Sequence, residues 1–93
     1  MPKYVIERTV PGAGQMDTAA LAAIAAKSND VLRDLSPEVQ WQHSYVSDDK
    51  ITCVYIAANE DIIRKHAECG GFPVDQVLEV RAVIDPATAE LAG

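Results

Sequence analysis

The stretch Trp41 to Ala57, WQHSYVSDDKITCVYIA, constrains the fold most, because it reads as two strands joined by a tight reversal. Val39, Trp41, His43 and Tyr45 alternate with Gln40, Gln42 and Ser44, the period of two that gives a strand one apolar and one polar face. Ser47-Asp48-Asp49-Lys50 has no apolar residue, and Asp tolerates the left-handed backbone that a tight hairpin demands. Ile51 to Ala57 is apolar on both faces, as expected of a strand with a neighbour on either side. Register across this hairpin has two solutions. A loop at Asp48-Asp49 pairs Ser47 with Lys50 and sets Ser44 against Cys53 and His43 against Val54, whereas a shift of one residue brings His43 opposite Cys53. Only in the second do an imidazole and a thiol from adjacent strands share one ligand.

The remaining segments supply that strand's neighbours. Residues 3 to 10, KYVIERTV, form a β-rich run that stops at Pro11-Gly12. The loop PGAG that follows lacks the spacing of a nucleotide-binding fingerprint and reads as a connection. Asp17 or Thr18 then caps a helix over residues 17 to 35, with Leu21, Ile24, Ser28, Val31, Leu32 and Leu35 on one stripe. Ser36-Pro37 ends it, since the residue before proline is pushed out of helical geometry. Strands follow over residues 39 to 47 and 50 to 57. Asn59 caps a second helix over residues 59 to 69, where Ile62, Ile63, His66 and Ala67 recur at helical spacing before Gly70-Gly71 stops it. A last strand spans residues 76 to 85, and residues 85 to 93 form a short, weakly patterned tail that reads either as a frayed helical turn or as disordered.

The order β-α-β-β-α-β implies an α+β fold, the ferredoxin-like plait: a four-stranded antiparallel sheet in spatial order 4-1-3-2, with both helices on one face. At 93 residues the chain is read as a single domain with a modest core. Two helices cover one sheet face only. The other face, read as carrying Trp41, Tyr45 and a residue of the first strand, predicts a symmetric homodimer joined through its sheets.

Charge removes several classes of partner. A net charge of -6, with 14 acidic against 8 scattered basic residues, excludes the basic stripe of a nucleic-acid binder and the polybasic patch of a lipid binder. No segment has the length of a membrane span or the pattern of a signal peptide, so the expectation is a cytoplasmic protein with no membrane partner. Two cysteines, Cys53 and Cys69, are too few for a disulfide framework and are expected as thiols.

The remaining candidates for chemistry are few. His43 reads either as a metal donor or as a hydrogen-bonded core imidazole. His66 reads either as a donor, with Cys69 three residues on, or as a surface histidine near a helix C-terminus. Cys53 is either a small buried hydrophobe or a soft ligand. An enzyme reading also stands, with a pocket beside His43, His43 as general base and Glu79 or Arg81 polarising a small substrate.

The stretches PKYVIERTVPGAG, VLRDLSPEVQWQHSYVSDDKITCVYIA, HAECGGFPVDQV and VRAVIDPATAE closely resemble a family of small bacterial proteins that includes a nickel-binding protein. The W-x-H-S-Y-V-x-D-D-K run with the C-V-Y-I-A strand is the most distinctive part. The resemblance implies a ferredoxin-like homodimer that binds divalent nickel without an established reaction, in storage, buffering or sensing. Among the residues matching its motifs, His43, His66 and Cys53 are the implied nickel ligands.

Overall fold

Strand β1 (Lys3–Thr9) lies at the centre of the sheet because the chain supplies it with two antiparallel partners, as a computed structural model describing residues 1–92 shows. The other elements are helix α1 (Thr18–Leu35), strands β2 (Val39–Val46) and β3 (Lys50–Ala57), helix α2 (Glu60–Gly70) and strand β4 (Gln76–Glu79). The strand order is β2-β3-β1-β4, the antiparallel arrangement of the ferredoxin-like plait. Alternation along β1 sends Tyr4, Ile6 and Arg8 to the helix side, where they meet Ile51, Cys53 and Tyr55 of β3. This side is the core, closed by Ile63 and Ala67 of α2. Among the described residues, no helix is long and apolar enough to cross a membrane.

Each helix begins at a side-chain cap. The Asp17 carboxylate accepts from the Ala20 N–H at 2.8 Å, and the Asn59 amide oxygen accepts from the Ile62 N–H at 2.9 Å. Helix α1 ends as expected at Ser36, whose backbone is extended, and α2 ends at Gly71 with φ 69°. Replacing Asp17 with Ala therefore removes the acceptor of an otherwise unpartnered N–H and lowers stability by about 1 kcal/mol in urea unfolding. A loss below a few tenths contradicts the cap.

Two expectations need correction. The last strand does not run to residue 85: pairing stops after Tyr4↔Glu79, with the Val80 N–H donating to the carbonyl of Lys3, the first residue of β1. The alternation along β2 is interrupted by a bulge, with Trp41 paired to Tyr55 but His43 to Val54, so that Gln42 is the extra residue. Trp41 consequently shares the helix side with Val39 and Ser44, and its indole N–H donates to the Ser44 hydroxyl at 2.9 Å. His43 and Tyr45 lie on the opposite, uncovered side. The aromatic patch read as Trp41 with Tyr45 is thus split between the two faces. Residues Pro86–Ala92 form a 3-10 helix, while Gly93 of the 85–93 tail lies outside the described residues.

The PGAG connection docks on the hairpin tip. The Val10 and Gly14 N–H groups donate to the Asp49 and Asp48 carbonyls at 2.8 and 2.9 Å, and the Gly12 N–H donates to the Asp49 carboxylate at 3.0 Å. A Cβ on Gly14 would stand 2.9 Å from the Asp48 Cα, so the approach requires glycine. The acidic pair in the hairpin loop thereby anchors the start of α1.

Candidate functional site

The bulge at Gln42 decides which chemistry each sheet face holds. His43 projects from the uncovered face and is exposed; its Nε2 lies 3.1 Å from the Tyr45 hydroxyl, with the two rings edge to face at 5.0 Å. Val5, Val54, Ile56 and Leu78 share that face through the register of β1, β3 and β4. It is therefore an apolar surface bordered by an available imidazole and a phenol.

Cys53 faces the other way. Register places it against Ser44 on the helix side, where it is buried, so His43 and Cys53 of one chain lie on opposite faces of the sheet. The loop at Asp48-Asp49, one of the two solutions open from sequence, is the one adopted. His66 is also on the helix side and is wholly enclosed, with 0% exposure, instead of standing at the surface near the end of α2. Helical phase explains this placement, since Ile63, His66, Ala67 and Gly70 form the buried stripe of α2. Its Nε2 lies 3.2 Å from the Ser28 hydroxyl, and its Nδ1 has no hydrogen-bond partner among the described residues. Burial, and then the nearby Arg8 guanidinium, push its pKa below the ordinary histidine value. The imidazole is accordingly neutral at pH 7. Cys69, three residues on, is exposed and away from it in facing.

Arg8 is the residue that sequence reasoning did not single out. It is 3% exposed, and its Nε donates to the Cys53 Sγ at 3.5 Å, its Nη1 to the Pro73 carbonyl at 2.7 Å and its Nη2 to the Tyr55 hydroxyl at 3.5 Å. Among the described residues no carboxylate pairs with it. Tyr55 is held protonated, its pKa raised by burial and then by Cys53 against the opposing pull of Arg8. A signal for Arg8 existed in the alternation Tyr4, Ile6, Arg8, which puts a charge in the core-facing phase of a strand.

Beside Arg8 opens a cavity of about 540 Å³ between α1, the β2–β3 hairpin and the turn after α2. Trp41, Ser44 and Cys53 line it; His43 does not. Glu79 and Arg81 pair with each other on β4 and its continuation, and neither lines this cavity. Among the described residues no three His, Cys, Asp or Glu side chains cluster closely enough to hold a metal ion.

Comparison with known proteins agrees with the fold. A family model described as "Nickel responsive protein SCO4226-like" matches residues 4–80. The chain is similar in structure to that reported as "Crystal structure analysis of SCO4226 from Streptomyces coelicolor A3(2)", with a TM-score of 0.74 and 14% identity over 88% of this chain and 99% of that one. No curated protein matches the sequence.

Proposed function

Since the chain belongs to the SCO4226-like family of nickel responsive proteins, we propose that it binds divalent nickel, non-catalytically, on the uncovered sheet face of a homodimer in the cytoplasm, with His43 as anchoring ligand. Storage, buffering and sensing are all roles that such binding serves. The observation that carries this reading is the placement of the two histidines. Neutral imidazole suits nickel, and His43 is the histidine that solvent and a second chain can reach. His66 and Cys53, the other ligands the resemblance implies, fit less well: both are buried near the Arg8 guanidinium, whose fixed positive charge opposes a divalent cation.

One chain brings His43 too few companions for a site, and its face carries apolar residues that two helices leave uncovered. Symmetric packing of two such faces addresses both needs, burying Val54 and Ile56 while pooling donors from two copies. The net charge of -6 favours a cation over an anion at the surface.

Calorimetry and sedimentation on protein without an affinity tag test the reading. Wild type sediments as a dimer and binds nickel, and mildly acidic buffer weakens binding because protons compete with metal for imidazole nitrogen. His43→Ala weakens nickel by about tenfold or more, equal to about 1.4 kcal/mol or more, whereas Cys53→Ala leaves it near wild type. Unchanged affinity and stoichiometry in His43→Ala would show that His43 is not a ligand.

A further inference from the structure

Charge placement around the helix-side cavity is the reverse of that in the chain as a whole. Acidic residues outnumber basic ones 14 to 8, yet the charged residues lining the cavity are Arg8 and Lys27, with no Asp or Glu among them. The two cations differ in setting. Lys27 is exposed at the rim, its Nζ 5.9 Å from the centre of the Phe72 ring, while Arg8 is buried at the inner wall. A guanidinium has five N–H donors, and the three hydrogen bonds of Arg8 go to a thiol, a carbonyl and a phenol, while its Cζ lies 5.6 Å from the centre of the Phe72 ring. None of these is a carboxylate or another anionic oxygen. An enclosed cation without a counter-ion is costly to bury, and it faces a cavity large enough to admit the missing anion.

The walls define the rest of that anion. Leu21, Ile24, Trp41, Ile51 and Phe72 make the lining mostly apolar and partly aromatic. Volume and lining together match those of small-molecule sites. One buried guanidinium complements a single negative charge, and the planar fork of Arg pairs best with a carboxylate. A nucleotide or polyphosphate would require more donors than this wall holds. We propose that the cavity binds an apolar monocarboxylate, its carboxylate paired with Arg8 and its apolar body packed between α1 and the Trp41–Phe72 side. This site is separate from the nickel reading, because it lies on the opposite face of the sheet from His43.

Trp41 is the chain's single tryptophan and lines the cavity, so its emission reports on occupancy. The probes are phenylacetate, 4-phenylbutanoate and octanoate, each set beside its neutral amide, in buffer containing a chelator so that metal plays no part. At least one acid changes Trp41 emission saturably and shifts the Arg8 Nε–H resonance, with its amide bound about tenfold more weakly or worse. Arg8→Met removes this preference for acid over amide. Ala25→Leu, which puts bulk on a lining position of α1 at little cost in helix propensity, weakens both acid and amide while the circular dichroism stays that of wild type. The proposal is overturned if no acid gives a saturable response, if amides bind as tightly as acids, or if Ala25→Leu binds like wild type. Should Arg8→Met fail to fold, the acid-to-amide ratio in wild type and the Ala25→Leu result still decide.

Discussion

Ile63→Ala lowers the unfolding free energy by about 2–5 kcal/mol, a large share of the roughly 5–15 kcal/mol that holds a domain of this size folded. Ile63 has 0% exposure and belongs to the cluster containing Ile6, Val39 and Tyr55, so its truncation leaves a cavity that neighbours fixed in a sheet cannot readily fill. Helix α2 has only 11 residues and is not stable by itself, so its position depends on this stripe packing against the sheet. The consequence reaches the cavity, because the chain leaving α2 carries Phe72 and the Pro73 carbonyl that holds Arg8. Urea unfolding measures the loss as a lower midpoint with unchanged slope, and each 1 kcal/mol corresponds to roughly 4–8 °C in melting temperature for a chain of this length. A loss below about 1 kcal/mol would mean that α2 does not pack on Ile6 through Ile63.

Element order was legible because the period of the apolar pattern changes sharply along the chain. Two-sided apolarity in Ile51–Ala57 placed β3 inside the sheet, and the spacing of Leu21, Ile24, Ser28 and Leu32 turned that face of α1 inward. The bulge was not legible, since one extra residue at Gln42 inverts the phase of everything after it while leaving composition and pattern intact. That inversion is what separates His43 from Trp41. The end of β4 was hidden for a different reason: residues 80 to 84 keep a strand-like pattern, but a strand needs a partner and β1 begins at Lys3. His66 shows a third kind of limit. Its helical phase with Ile63 and Ala67 can be read locally, whereas its enclosure depends on Ser28, 38 residues away on another helix, and on Tyr55 and Phe72 around its ring.

That enclosure makes His66 the group expected to give the fold its sensitivity to mild acid. The neutral ring sits against the Ser28 hydroxyl, with Tyr55 and Phe72 beside it and the Arg8 guanidinium nearby as the fixed charge, so protonation is opposed first by burial and then by that cation. In the unfolded chain the imidazole takes up a proton near its reference pKa of about 6.5, whereas in the folded chain it does so only at lower pH. Between these two values the unfolded state binds more protons, so stability rises with pH across that window and is lost as pH falls below about 6.5. The slope contributed by one such group reaches at most about 1.4 kcal/mol per pH unit. Urea unfolding of wild type and His66→Phe from about pH 7.5 to about pH 5 isolates it, because every other side chain is common to the two proteins and cancels in the difference. The substitution also removes the partner of Ser28 and alters packing, which shifts stability at every pH; the slope, not the offset, reports the proton. Wild type should lose stability on the acid side more steeply than His66→Phe, by up to one proton's worth. Parallel curves would show that His66 takes up its proton as readily in the folded chain as in the unfolded one.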